Sequence, residues 1–169
     1  MTGLSEGDGF RVCVFRLAGQ SFGIRLEAVR EIVPMAALSR PPAMPSVLEG
    51  FLNLGGTAIP VVRLASVLGL PPQPLALYTP LVIIRGDTQP LALLVHSVTH
   101  IGSVPAGAVA PIAETDSFNG CIDGHWSQAD VVVHLLSVSR LLLAKEQQVL
   151  AEFRATETER LGQPESVPS

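Results

Sequence analysis

A chain of 169 residues is long enough for one compact domain, or for two small lobes that share a core. With 47% hydrophobic and 15% charged residues, wholesale disorder is excluded; with a net charge of −4 and no Lys/Arg cluster, so is a phosphate-neutralising face for nucleic acid. The 15 glycines and 14 prolines argue against a helical bundle and for many short strands.

Residues 1–9 are polar and read as a flexible lead-in without a signal pattern. Phe10–Leu17 is a strand with apolar residues at both parities, hence buried on both faces or part of a small barrel packed from inside and outside. After the turn Ala18-Gly19-Gln20, a second strand runs over Ser21–Leu26 and closes a hairpin. From Glu27 to Val33 the apolar positions Ala28, Val29, Ile32 and Val33 fall at helical spacing, which predicts a short helix or helical turn stopped by Pro34. Arg40–Pro45 reads as extended and proline-locked. Phe51–Leu54 and Thr57–Val62 are strands joined by Gly55-Gly56, a tight reversal where positive φ costs nothing. Val62–Leu68 shifts to helical spacing and ends at Gly69, before the connector Pro71-Pro72-Gln73-Pro74.

The second half repeats the habit. Strands are expected at Leu81–Ile84, Leu91–Val95, Val98–Ile101, Phe118–Asp123 and Val131–Leu136, with Gly86-Asp87-Thr88 as a hairpin tip. Val61–Val67 and Val132–Val138 echo each other, each a buried strand running into a helical turn. From about Ser139 to Leu161 the chain reads as helix, with Leu142, Leu143, Val149, Leu150 and Phe153 as one apolar stripe and Glu157 placed to pair with Arg154 and Arg160. Residues 162–169 read as disordered. Residues 64–84 and 88–113 contain no Asp, Glu, Lys or Arg, but prolines interrupt both, so neither supplies the continuous apolar run of a spanning helix. A soluble, cytoplasmic protein is expected.

Reactive constellations are scarce. Gly3-Leu4-Ser5-Glu6-Gly7 matches a nucleophile pattern in letters, yet it sits in a polar tail without the strand and helix that hold such a serine. His96 and His100 would share a face only on a helix, and their surroundings read as strand. Cys13 and Cys121 lie far apart in or beside apolar segments and read as reduced, partly buried thiols. No metal or cofactor is expected. An enzyme would require His134, Asp123 and Cys121 to converge in a pocket.

Three patterns carry a resemblance. Val29-Arg30-Glu31-Ile32 follows the opening hairpin and is similar to a Val-x-Glu-Ile motif. Pro45 to Leu64 is similar to Pro-x-x-x-x-Gly-x-x-Asn-Leu-Arg-Gly-x-x-x-Pro-Val-x-Asp-Leu. Leu93-Leu94-Val95-x-x-Val98 resembles a second-half strand. In this order and at these intervals they are the motifs of the CheW family of chemotaxis coupling proteins, which Phe10 to about Leu143 resembles. The resemblance implies a mainly β fold of two SH3-like five-stranded barrel lobes sharing a core, with short connecting helices and a C-terminal helix. The lobes are expected at roughly 10–70 and 78–143, with elements open to exchange between them, and a helical extension at 144–161.

It also implies a non-catalytic adaptor that joins a chemoreceptor's cytoplasmic tip to the regulatory domain of a CheA-type histidine kinase, recruited to membrane receptor arrays through these partners. Val29, Glu31, Ile32, Asn53, Leu54, Gly55, Gly56 and Arg63 fall on or beside the partner contacts. Core packing is the competing reading for Val29 and Ile32. The chain departs from the family at three positions: Gly55 replaces Arg, Arg63 replaces Asp, and His96 replaces Asp. Such swaps alter partner choice rather than fold, which implies a divergent receptor–kinase set. The alternative function is a sensor that binds a small molecule between the lobes.

Overall fold

In Phe10–Leu17 (β1) every second residue faces a different core, and the computed structural model shows both. It describes residues 9–162 apart from Gln73, Leu75, Leu77, Asp87 and 113–116. Of the disorder expected at 162–169, Gly162 instead ends the C-terminal helix, while 163–169, most of the lead-in and the centre of the Gly86–Thr88 tip lie outside the described residues. Val12 and Val14 point into one barrel with Val104, Trp126, Val133 and Leu135. Cys13, Phe15 and Leu17 point the other way, into a core built from both sheets. A strand used on both faces cannot alternate apolar with polar, which is why its sequence does not.

The remaining strands are β2 (Gln20–Arg25), β3 (Val29–Pro34), β4 (Leu48–Leu54), β5 (Thr57–Arg63), β6 (Pro80–Ile84), β7 (Leu91–Leu94), β8 (Ser97–Val104), β9 (Ile122–Gln128) and β10 (Val131–Leu136). They form two five-stranded sheets, β8-β1-β2-β10-β9 and β3-β6-β7-β5-β4. The sheets are not the two halves of the chain. Each half exchanges its opening hairpin, so β1-β2 joins β8, β9 and β10, while β6-β7 joins β3, β4 and β5. The echo at Val61 and Val132 marks equivalent places: β5 pairs parallel with β7 and runs into α1 (Leu64–Leu68); β10 pairs parallel with β2 and leads into α2 (Val138–Gly162). Leu52, Ile59, Val61, Leu81, Ile83, Ala92 and Leu94 fill the second barrel, and the shared core joins the two.

Four local expectations are corrected. Glu27–Val33 is not a helix: a single 3-10 turn at Leu26–Ala28 leads into strand β3. The pairing with β6 is bulged at Arg30, with Val29 opposite Ile84 and Glu31 opposite Ile83. The extra residue puts Val29 and Ile32 on one side at a spacing of three, which imitates helical periodicity. Residues 118–121 are likewise not strand, because Ser117–Gly120 is a tight turn with Phe118 and Asn119 both left-handed, and β9 starts at Ile122. Arg40–Pro45 is broken by a turn at Pro42-Ala43, Ala43 being left-handed. The stripe on α2 splits in two. Leu142 and Val149 pack on the core beside Leu141, whereas Leu143, Leu150 and Phe153 face outward at 50–61% exposure. Helical rows one residue apart diverge by 100° and cannot all face the body.

The first barrel is closed by a polar seam. Trp126 Nε1–H donates to Gln128 Oε1 at 3.2 Å, which leaves the Gln128 amide 3.0 Å from His100 Nε2 on β8. Inside, Gly23 leaves room for the indole. A methyl at Gly23 would stand 2.7 Å from Trp126 Cη2 and 2.8 Å from Val12 Cγ2. Gly23→Ala is therefore expected to destabilise the chain by about 1–3 kcal/mol, seen as a lowered Tm with native circular dichroism. An unchanged Tm would show that this barrel yields freely.

Candidate docking surface

The β4–β5 hairpin ends in a two-residue turn, Gly55-Gly56, with φ of 62° and 90°. Two successive positive φ values suit the right-handed twist of the flanking strands, and glycine adopts them without strain. Asn53 Oδ1 accepts the Gly56 N–H at 2.9 Å and fixes the turn from its base. Asn53, Gly55 and Gly56 are exposed, while Leu54 is half-buried and rests on the second barrel's core. This hairpin carries one outer strand of the second sheet, and β3 is the other.

On β3 the site residues separate. Val29 is 8% exposed and belongs to the shared core, so its side chain offers nothing to a partner. Ile32 is half-buried and leans on the same core. Glu31 is exposed, with Arg30 Nε 3.7 Å from its carboxylate. Here the surface consists of Glu31 and the outer part of Ile32, on an edge that the bulge twists away from regular pairing.

Arg63 has an internal partner. The β4–β5 pairing is bulged at Glu49, between Leu48 and Gly50, and the bulge aims the Glu49 carboxylate between two arginines. Arg63 Nε donates to Glu49 Oε1 at 2.7 Å, and Arg40 NH2 donates to Oε2 at 2.9 Å. Arg40 Nε also donates to the Glu49 carbonyl at 2.9 Å, and Arg63 NH1 to the Ser46 carbonyl at 3.0 Å. Burial alone would raise the Glu49 pKa, but hydrogen bonds and charge from Arg63, then Arg40, outweigh it and hold the carboxyl below its ordinary value. The same loop is gripped from outside, since Ser46 N–H and Oγ–H both donate to Glu152 Oε1 on α2 at 2.9 Å. Sequence reading missed Glu49, Arg40, Ser46 and Glu152. The Arg63-for-Asp departure was the signal, since a reversed charge on a sheet margin calls for a partner, but its position awaited the fold.

Two clefts adjoin this region. One of about 400 Å³ is walled by Ser46, Glu49, Arg63, α1 and Leu94; another of about 540 Å³ lies between the start of α2 and the segment Thr88–Leu91. Each is walled by second-sheet residues together with a helix, α1 in the first and the start of α2 in the second. The groups an enzyme would need each have other neighbours. The Cys121 Sγ faces the Asn119 and Arg140 carbonyls, Asp123 lies 3.9 Å from Arg140 NH1, and His134 packs against Phe22 and Phe118. Cys13 and Cys121 are buried free thiols, and burial raises both pKa values. Among the described residues no His, Cys, Asp and Glu cluster could hold a metal, and no helix is long and apolar enough to cross a membrane.

The CheW-like domain family model matches residues 11–146. The chain belongs to the CheW-like family. A probable chemotaxis protein CheW of Rhizobium etli is 28% identical over 114 residues, covering 68% of this chain and 73% of that protein. The chemotaxis protein CheW of Helicobacter pylori is 25% identical over 129 residues, covering 76% and 78%. The fold matches the crystal structure of the scaffolding protein TtCheW from Thermoanaerobacter tengcongensis with a TM-score of 0.71 at 22% identity, over 79% of this chain and 87% of that one. The departures of this CheW-like chain now have places. Gly55 is the exposed hairpin end, Arg63 is tied to Glu49, and His96 is an exposed residue whose N–H donates to the Arg16 carbonyl at 2.9 Å.

Proposed function

We infer that this chain is a non-catalytic chemotaxis coupling adaptor, and that its two outer β features dock two different proteins. The partners are the cytoplasmic tip of a chemoreceptor and the regulatory domain of a CheA-type histidine kinase. Through them the adaptor joins a receptor array at the membrane. The observation that carries this reading is the pair of exposed features at the two outer strands of one sheet: the Asn53-pinned hairpin end and the Glu31–Ile32 edge. Separate edges let both partners bind together, as coupling requires. The loss of an arginine at Gly55 and its guanidinium fork favours a receptor–kinase set of its own.

Glu31 is the clean probe. Ile32→Asp would place a carboxylate against the shared core and confuse docking with stability. Glu31→Arg is expected to weaken capture of the cognate kinase regulatory domain or receptor tip by about tenfold or more while the Tm stays native, because like charge meets like in a complementary interface. Surface plasmon resonance with both purified fragments reads it. Unaltered affinity for both would remove this edge from the docking surface.

A further inference from the structure

His134 stands where the first sheet meets the rest of the molecule. Its ring lies 5.7 Å from Phe22 and 4.9 Å from Phe118, centroid to centroid, and 6.4 Å from His125, its direct partner across β9 and β10. Phe118 and Asn119 turn through left-handed φ values of 53° and 57°, a conformation unusual for a bulky residue such as Phe118. Packing holds it there, with Phe118 edge-on to Phe22 at 5.2 Å. The next residue reaches across the fold. Asn119 Nδ2–H donates to the Val67 carbonyl at 2.8 Å, and Gln148 of α2 donates to that same carbonyl at 3.3 Å. Thus one turn ties β10 of the first sheet to α1, the continuation of β5 in the second.

We propose that His134, His125 and the Ser117–Gly120 turn form an acid-operated latch, in which protonation of His134 expels Phe118 and frees the end of α1. The geometry explains the sign. A protonated His134 would be a half-buried cation facing another imidazole. Attraction to the flanking ring faces offsets only part of that. Burial first, then the charge of His125, lowers the His134 pKa from 6.5. The closed latch therefore favours neutral His134 and the open form binds more protons. The latch is fully stable above pH 6.5 and weakens as pH falls below it.

The ionisable groups around the ring come from several elements. His125 faces it from β9; Asp123, also on β9, is close to Arg140; the buried Cys121 thiol faces the Asn119 and Arg140 carbonyls; β2 and the turn present phenyl rings. Glu114 and Asp116 precede the turn outside the described residues, and the test includes them.

Hydrogen exchange of the full chain between about pH 8 and pH 5.5, corrected for the intrinsic rate, reads the latch directly. Protection of the Gly69, Leu70 and Cys121 amides is expected to fall about tenfold or more on acidification while the β6 and β7 amides hold. His134→Phe keeps the aromatic packing and should flatten the response. His125→Gln removes the facing charge, so closed His134 resists protonation less, and the acid-driven loss of protection should shrink. The proposal is overturned by an undiminished response in His134→Phe, by loss of protection spread evenly over all strands, or by a response abolished only in Glu114→Gln/Asp116→Asn.

Discussion

Phe22→Ala is expected to cost about 3–5 kcal/mol, the usual range for emptying a large aromatic from a packed core. Phe22 is fully buried, stacks on Phe15 at 6.0 Å and meets Phe118 edge-on. It lies in the core that both sheets build, so the void cannot be closed by adjusting one barrel alone. Domains of this size are stable by about 5–15 kcal/mol, so the loss would take a third or more of the margin of a chain in mid-range. Urea unfolding followed by the emission of Trp126, buried in the first barrel, measures it. The midpoint should fall with little change in m. A loss under about 1.5 kcal/mol would mean that the two sheets close up around the cavity, and that the shared core is softer than its burial implies.

Arg63→Asp restores the family's own residue and is nevertheless expected to destabilise this chain, by about 2–4 kcal/mol at neutral pH. Glu49 has a side chain only 10% exposed, and its charge is tolerated because Arg63 and Arg40 each take one carboxylate oxygen. The substitution would exchange one of those partners for a like charge. Arg40 remains, and both arginines are about half-exposed, which keeps the effect below that of a fully buried pair. A double-mutant cycle of Arg63→Gln and Glu49→Gln isolates the coupling between the two.

The pH dependence has a definite sign. The native Glu49 pKa lies below its ordinary 4.5, so the unfolded chain binds the extra proton and the pair's contribution is present above that value. It fades as pH falls through the lower native pKa. The wild-type and Arg63→Asp stability curves should therefore converge in acid. If Arg63→Asp is as stable as wild type at neutral pH, the ion pair is a surface ornament, and Arg63 returns to the set of residues free to choose a partner.

Much of the fold follows from short-range chemistry. Gly55-Gly56 between two apolar runs dictates a tight hairpin, and Asn53 three residues before Gly56 supplies the acceptor that pins it. The double-faced burial of β1 is written in its apolar run Val12–Phe15. Other features were hidden because one extra residue corrupts the period of two. The bulge at Arg30 made a strand look helical, and the bulge at Glu49 turned a charged side chain inward with no trace in the pattern. On α2, heptad-like spacing announced an apolar stripe but could not say which of two adjacent rows faces the body.

By itself, the sequence determined the Gly55-Gly56 hairpin, most of the strands, the C-terminal helix and the family, since each rests on residues that are neighbours along the chain. Tertiary structure alone decided that the opening hairpins change places, that Val29 is core while Glu31 is surface, that Arg63 answers to Glu49, and that Asn119 reaches Val67 from 52 residues away. Those facts depend on which distant segments share a core, and hydrophobic burial, being non-directional, leaves that choice to the packing of the whole chain.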